Sequence, residues 1–104
     1  MIKKNSKIYI AGHNGMVGSA IKRKLLEKGY KNLLTINREK LNLIHQQKTF
    51  NFLKKNKPDL VILAAAKVGG IISNSTNKDK FLYENLQIQN NMIHGSYLAG
   101  VKNL

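Results

Sequence analysis

The sequence predicts an α/β fold: a doubly wound parallel sheet, truncated after about three strands and three helices. Three observations predict it. Short apolar segments of strand length alternate with amphipathic segments of helical period, the third strand is apolar almost throughout, and a glycine-rich turn joins the first strand to the first helix. The 104 residues suffice for one domain with a hydrophobic core.

The first strand and helix are joined by a glycine loop. The strand, residues 8–11, leads through Gly12, Gly15 and Gly18 into the helix. The first glycine allows backbone angles closed to other residues, the second lets phosphates approach the main chain, and the third lets the helix pack closely on the strand. Unpaired amides of the first helical turn attract anions. The segment predicts a Rossmann-type pyrophosphate site, with an ordinary glycine turn as the alternative.

The other predicted elements alternate along the chain. The first helix ends near Gly29, and Pro58 blocks continuation of the second helix. We predict a strand over residues 33–36, a helix over 46–55, a strand over 60–64 and a helix over 79–98. The side chains predicted to share the inward faces of the first two helices are Val17, Ala20, Ile21, Leu25, Phe50 and Leu53.

The last helix is predicted to present a broad apolar arc and to end near Gly100. Asn85 lies within this arc, where a buried amide needs hydrogen-bond partners, and we expect it to tie the helix to a neighbouring loop. The arc consists of Phe81, Leu82, Leu86, Ile88, Met92, Ile93 and Tyr97. The opposite, polar side consists of Lys80, Glu84, Gln87 and Asn91.

The strand order determines which edge of the sheet is open. In the usual doubly wound order, 3-2-1-4, the first strand pairs with the second and with a fourth. Because the sequence supplies three strands, we expect the first strand to have one unpaired side. An open edge on a central apolar strand favours association with other chains, so we expect low stability of the isolated chain.

Composition and charge restrict the function classes. The formal net charge of +13 attracts polyanions, but the lysines are spread over all predicted elements and Arg23 and Arg38 are the only arginines, so we expect no specific nucleic-acid partner. The sequence contains no cysteine, and its longest apolar run is too short to span a membrane. We therefore expect a cytoplasmic protein without a membrane partner. Three isolated histidines predict no metal site.

The end of the second strand indicates the cofactor. An acidic side chain there accepts a hydrogen bond from a ribose hydroxyl of NAD, whereas an arginine can bind the 2′-phosphate of NADP. Arg38 occupies this stretch with no carboxylate before it, although Glu39 follows. We predict that the chain binds NADP, and that NAD is the less favoured cofactor. The alternative interpretation of Arg38 is a solvent-exposed turn residue with no ligand.

Three segments together resemble one enzyme family. Residues 10–21 contain the glycine loop, residues 38–43 read Arg-Glu-Lys-Leu-Asn-Leu, and residues 63–71 contain Ala-Ala-Ala-Lys-Val-Gly-Gly. The chain resembles the extended short-chain dehydrogenase/reductases, and most closely the epimerase/reductases that act on a GDP-linked 4-keto-6-deoxy sugar. The likeness covers essentially all 104 residues, which would be the first third of such an enzyme.

The resemblance implies which residues bind the cofactor. The glycine loop would hold the pyrophosphate, Arg38 would meet the 2′-phosphate, and Asn42 and Leu43 would border the adenosine. Two positions depart from the family pattern, because Asn14 replaces an arginine of the loop and His45 replaces an acidic residue near the adenine. The loop residues are Gly12, His13, Asn14, Gly15, Met16, Val17 and Gly18, and those lining the far side of the cofactor are Ala64, Ala65, Ala66 and Lys67.

The resemblance implies no catalytic residue in this chain. The family's reduction would use a tyrosine with a lysine four positions later, and none of the four tyrosines has that partner. We expect residues 1–104 to be the N-terminal part of a dinucleotide-binding domain, with the substrate domain absent. A noncatalytic nucleotide-binding module is the alternative. The expected partners are the dinucleotide, a nucleotide sugar only in a complete enzyme, and a second copy or a complementing C-terminal part.

Overall fold

The computed structural model describes residues 2–37, 39–64 and 78–101, with the side chains of residues 78–82 and 85 excepted. Strands and helices alternate along these segments as the sequence predicts, and the strands pair in parallel. The elements are β1 (Ile8–Ala11), α1 (Met16–Glu27), β2 (Leu33–Leu34), α2 (Gln46–Asn56), β3 (Leu60–Leu63) and α3 (Lys78–Leu98). Among the described helices, none combines the length and hydropathy that a membrane span requires.

The strand order is β2-β1-β3, so the expectation of an unpaired side on β1 is wrong. Ile8 and Tyr9 pair with Leu33 and Leu34 on one side, and all of β1 pairs with β3 on the other. The chain crosses back over β1 after β2, and its third strand takes the place that we expected a fourth strand to fill. The outer edges of the described sheet therefore belong to β2 and β3.

The helices lie on both faces of the sheet. The connection through α1 runs from β1 to β2, and the connection through α2 runs the opposite way, from β2 past β1 to β3. Because such crossovers are right-handed, α1 and α2 lie on opposite faces. α3 packs beside α2. The described fold is therefore doubly wound, as predicted.

The hydrophobic core lies between the sheet and the pair α2 and α3. The Tyr9 ring points into it from β1 and packs against Phe52, with ring centroids 4.9 Å apart. The buried members of the cluster are Tyr9, Ala11, Leu41, Leu43, Leu53, Val61, Ile88 and Met92. On the other face of the sheet, Ile8 and Ile10 of β1 are fully buried, but Val17 and Ala20 of α1 are exposed although the sequence pattern placed them inward.

Lysine side chains bind the carboxyl ends of two helices. α1 ends at Gly29, which has a φ of +92° and whose amide donates to the Leu26 carbonyl oxygen at 3.1 Å. Lys4 Nζ donates to the Lys28 carbonyl oxygen at 2.6 Å. At the end of α2, Lys7 Nζ donates to the carbonyl oxygen of Asn56 at 2.9 Å. These two ammonium groups therefore complement helix dipoles within the fold.

The face of α3 that contacts the core is narrower than the predicted arc. Ile88 and Met92 are buried as predicted, whereas Leu86, Ile93 and Tyr97 are 49%, 53% and 77% exposed, so the prediction for these three is wrong. The helix carries apolar side chains on two sides, and the contact with α2 and β3 covers one of them. The predictions for Phe81, Leu82 and Asn85 concern side chains outside the described residues.

Asn91 belongs to the buried face of α3, although the sequence pattern placed it on the polar side. It is 3% exposed. Its Nδ2 donates to the carbonyl oxygens of Leu43 at 2.7 Å and Ile44 at 3.0 Å, and its Oδ1 accepts from Gln87 Nε2 at 3.2 Å. Asn91 therefore ties α3 to the loop before α2, a role that the sequence suggested for Asn85.

Gly95 allows α2 and α3 to pack closely. A Cβ at this position would lie 2.8 Å from Phe50 Cδ1 and 2.9 Å from Leu53 Cδ1. We expect Gly95→Ala to lower the free energy of unfolding by about 1–2 kcal/mol, because the overpacking outweighs the gain in helix propensity. Urea denaturation followed by circular dichroism measures this change.

Ser96→Ala is the matched control on the next residue of α3. Ser96 is 2% exposed, and its Oγ has no hydrogen-bond partner among the described residues. Removal of this hydroxyl is expected to leave the free energy of unfolding unchanged or to raise it. Equal stability of the two variants would contradict the close helix contact at Gly95.

Candidate functional site

The candidate site lies at the carboxyl edge of the sheet, between β1 and β3. α1 leaves β1 on one face of the sheet and α3 lies on the other face, which makes this the switch point where doubly wound folds bind ligands. The Ala64 amide donates to the Ala11 carbonyl oxygen at 2.8 Å. The segments that follow the two strands therefore begin side by side.

The loop after β1 turns back on itself through its first two glycines. Gly12 has a φ of +90°, a conformation that favours glycine. The Gly15 amide donates to the Gly12 carbonyl oxygen at 3.1 Å, and Gly15 is the N-cap residue of α1. The Gly15 amide is therefore used inside this turn.

Gly18 is buried where α1 meets the loop. A Cβ at this position would lie 2.7 Å from the carbonyl carbon of Gly12 and 3.1 Å from His13 Cα. Both atoms belong to the backbone, so they cannot move aside as a side chain would. This close packing, predicted from the third glycine, holds the N-terminus of α1 against the end of β1.

The first turn of α1 presents backbone amides that the fold does not use. The Ser19 amide donates to the Gly15 carbonyl oxygen at 2.9 Å, whereas those of Met16, Val17 and Gly18 donate to no carbonyl group of the described residues. Met16 is 89% exposed, and the first turn contains no acidic residue and no side-chain cap. α2 also lacks a side-chain cap. α1 therefore differs from α2 not in its cap but in the glycine loop before it and in its position at the switch point of the sheet.

Asn37, which the sequence pattern did not single out, joins the segment after β2 to the glycine loop. Asn14 Nδ2 donates to Asn37 Oδ1 at 3.3 Å, between two exposed residues that are 23 positions apart in the chain. The only sequence feature that pointed to Asn37 was its place before Arg38. The bridge follows from the pairing of β1 with β2, which brings the two segments together.

The segment between β2 and α2 is held mainly by contacts within the fold. Asn42 Oδ1 accepts from the Ile44 amide at 3.1 Å, in an Asx turn. Leu43 is 8% exposed, and its carbonyl oxygen accepts from Asn91 at 2.7 Å. Contact of Asn42 and Leu43 with adenosine therefore stays a prediction. His45 is exposed and is the N-cap residue of α2.

The structure places only part of the remaining predicted site. His13 and Ala64 are half-buried at the carboxyl edge of the sheet. Within the described segments, no three histidine, aspartate or glutamate side chains come together in a way that could hold a metal ion. Arg38, Ala65, Ala66 and Lys67 lie outside the described residues.

Tyr9, which lies in the hydrophobic core, is poorly suited to proton transfer. Tyr9 is 2% exposed, and burial raises the pKa of its hydroxyl. A general acid or base needs a pKa near the working pH, which is the opposite shift. Tyr83 and Tyr97 lie exposed on α3. The raised pKa and the burial of Tyr9 therefore disfavour this residue as a proton donor.

An open cavity of about 560 Å³ lies away from this edge, next to the carboxyl end of α1. Its lining residues are Lys4, Asn5, Gly29, Lys31 and Asn32. Lys4 Nζ is already hydrogen-bonded to the Lys28 carbonyl oxygen and lies 4.2 Å from the centre of the Tyr30 ring. This cavity lies away from the switch point at which doubly wound folds bind dinucleotides, and the carboxyl end of α1 already engages the Lys4 ammonium group.

Comparison with known sequences agrees with the geometry. A sequence model of the NAD dependent epimerase/dehydratase family matches residues 8–104. GDP-L-fucose synthase 1 of Arabidopsis thaliana is 51% identical over 104 residues, which are 100% of this chain and 32% of the relative. GDP-L-fucose synthase of Escherichia coli is 43% identical over 98 residues, which are 94% of this chain and 30% of the relative. The chain spans about one third of the length of these relatives.

Solved structures contain the same arrangement of strands and helices. GDP-mannoheptose C4 reductase from Campylobacter jejuni, MlghC, solved with NADP bound, superposes with a TM-score of 0.91 and is 44% identical. The match covers 98% of this chain and 32% of that structure. With the family match over residues 8–104, the parallel sheet and the glycine loop at its carboxyl edge, this chain belongs to the NAD dependent epimerase/dehydratase family.

Proposed function

We propose that this chain is the NADP-binding part of a GDP-L-fucose synthase, an NADPH-dependent epimerase/reductase that converts GDP-4-keto-6-deoxy-D-mannose to GDP-L-fucose. The observation that carries the proposal is the open N-terminus of α1, which the glycine loop holds at the switch point of the sheet. The names of the relatives support the substrate, and the NADP in the Campylobacter reductase supports the cofactor.

The residues present at the loop fit a dinucleotide diphosphate. The amides of Met16 and Val17 would donate to it, and the helix dipole would add positive potential. A Cβ on Gly15 would make an ordinary contact, 3.5 Å from the Gly12 carbonyl oxygen, so the fold itself does not require glycine there. Glycine at this position would instead let a phosphate group approach the main chain closely. The net charge of +13 also favours a polyanionic ligand.

This chain would bind and orient the cofactor without carrying out the reaction alone. When bound, NADPH supplies the hydride that reduces the keto group of the sugar. No tyrosine of the chain has a lysine four positions later. We propose that a complementing C-terminal part contributes the proton donor and the nucleotide-sugar pocket. The lack of a tyrosine with a lysine four positions later also favours a second candidate function, a noncatalytic nucleotide-binding module of this family.

The uncovered side of α3 supports the proposal of a partner. Leu86, Ile93 and Tyr97 are 49%, 53% and 77% exposed along one side of this helix. A complementing C-terminal part or a second copy of the chain would bury them, and sedimentation equilibrium with and without the C-terminal part distinguishes the two. We also propose a cytoplasmic location, which a chain without cysteine fits.

Calorimetric titration of the chain with NADPH tests the proposed function. We expect saturable binding of one molecule per chain. Gly15→Val, which places a branched side chain beside the free amides, is expected to weaken binding at least about tenfold, equivalent to about 1.4 kcal/mol. The thermal midpoint should change little, because Gly15 is exposed and has ordinary backbone angles.

Ala20→Val is the matched control for this titration. It also places a valine on α1, five residues further along at an exposed position, and should bind NADPH as the parent does. If the folded parent and Gly15→Val were both to show no saturable binding, the dinucleotide function would be wrong. Binding to random oligonucleotides that falls steeply with added salt would then favour simple charge attraction.

A further inference from the structure

Asn14 and Gly15 form the only asparagine–glycine pair in the sequence. An asparagine amide is labile when glycine follows it, because no side chain hinders attack of the next backbone nitrogen on the amide carbon. The pair lies in the glycine loop between β1 and α1. Both residues are exposed, so water reaches the bonds that would change.

Two hydrogen bonds hold this pair in the loop. Asn14 Nδ2 donates to Asn37 Oδ1 at 3.3 Å, which is longer than most such bonds and joins two exposed residues. The Gly15 amide donates to the Gly12 carbonyl oxygen at 3.1 Å. Neither bond belongs to the sheet or to a helix, so the loop can rearrange while the strands stay paired.

The reaction that this pair favours needs only water. The Gly15 nitrogen, after it loses its proton, bonds to Asn14 Cγ, and the Cγ–Nδ2 bond breaks to release ammonia, which takes up the proton. Water then opens the five-membered imide at either of its carbonyl groups. One opening gives aspartate, and the other gives isoaspartate, in which the main chain runs through Cβ and Cγ. Each product carries a carboxylate in place of the amide.

A carboxylate at residue 14 would lie beside the free amides of α1. Met16 and Val17, whose amides are proposed to bind the diphosphate, follow two and three positions later. A negative charge is favourable at a helix N-terminus, so this carboxylate would use the positive potential that attracts the diphosphate and would repel the ligand. Deamidation is therefore expected to weaken dinucleotide binding without destabilising α1.

We propose that Asn14 is a site of spontaneous deamidation, and that its conversion weakens dinucleotide binding as the protein ages. The modification itself follows from the sequence and exposure of the loop, whereas its effect on binding rests on the proposed function. A bound dinucleotide would engage the first turn of α1 and exclude water from the loop. It should therefore slow the reaction.

Mass spectrometry of the chain during incubation at neutral and mildly alkaline pH tests the modification. The tryptic peptide of residues 8–22 contains Asn14 as its one side-chain amide. The peptide of residues 49–54 contains only Asn51, which is also exposed but precedes Phe52 within α2. We expect the first peptide to convert to its acid form at least about tenfold faster than the second.

The conversion should be faster at alkaline pH, because the attacking nitrogen must lose its proton, and slower with saturating NADPH. Equal conversion of the two peptides would overturn Asn14 as a modification site.

Titration with NADPH before and after incubation tests the consequence. Asn14→Asp, which creates the aspartate product directly, should bind NADPH at least about tenfold more weakly than the fresh parent, with an unchanged or higher thermal midpoint. Asn14→Gln, whose longer side chain disfavours ring closure, should keep its initial affinity. The affinity of the parent preparation should fall in proportion to the converted peptide.

Asn51→Asp is the matched control, because it changes the net charge equally at an exposed position of α2 and should bind NADPH as the fresh parent does. Equal affinities of Asn14→Asp and Asn51→Asp would overturn the effect on binding. If the fresh, folded parent bound no NADPH, the proposed function would be wrong, and the conversion of the two peptides would still decide the modification.

Discussion

Gly18→Ala is expected to lower the free energy of unfolding by at least about 3 kcal/mol, the upper end of overpacking costs. The added Cβ would lie 2.7 Å from the Gly12 carbonyl carbon and 3.1 Å from His13 Cα. Relief requires α1 to move away from the end of β1, which opens the central strand of the sheet. For a chain of this size we expect the thermal midpoint to fall by more than about 10 °C, measured by circular dichroism.

Gly15→Ala provides the comparison within the same loop. Its Cβ would make only an ordinary contact, 3.5 Å from the Gly12 carbonyl oxygen. We expect its thermal midpoint to stay within a few degrees of the parent. If Gly18→Ala melted at the same temperature as Gly15→Ala, the close approach of α1 to the loop would be incorrect, and with it the position of the free amides.

Asn91→Leu is the second substitution for which we expect a large loss, about 3 kcal/mol in the free energy of unfolding. The change preserves approximate volume but removes the Asn91 donor from the Ile44 carbonyl oxygen, and it leaves the Leu43 carbonyl oxygen with only the 3.4 Å hydrogen bond from Thr49 Oγ1. Each buried acceptor that loses its partner costs about 1–3 kcal/mol. Urea denaturation compares the variant with the parent, and an unchanged slope would show that stability alone has changed.

Asn90→Leu is the control for this loss. Asn90 is the neighbouring residue of α3 and is exposed, so its replacement by leucine should change the stability by less than about 0.5 kcal/mol. Equal losses in the two variants would show that leucine is disfavoured on α3 in general. The tie between α3 and the loop before α2 would then be refuted.

The strands and helices were predictable because their signals are local. The apolar run of β3, the period of α2 and the glycine that ends α1 each depend on residues close in sequence. The strand order depends on how distant segments pair. The order β2-β1-β3 was missed because the local pattern of residues 60–63 does not show whether that strand pairs beside β2 or beside β1.

The buried side of α3 and one part of the site were missed for the same reason. Hydropathy placed Asn91 outward, but two carbonyl groups of a distant loop satisfy its amide in the core. Hydropathy also placed Ile93 and Tyr97 inward, although only one side of α3 is covered. Asn37 was recognised only once β1 and β2 were paired, since its partner Asn14 is 23 residues away.

The most direct test of the central claim is to locate bound NADPH by its effect on the backbone amide signals of the ¹⁵N-labelled chain. The claim is that the first turn of α1 binds the dinucleotide diphosphate. We predict that the largest chemical-shift changes on titration occur at Met16, Val17 and Gly18. Largest changes at Lys31 and Asn32, which line the open cavity away from the site, would contradict the account.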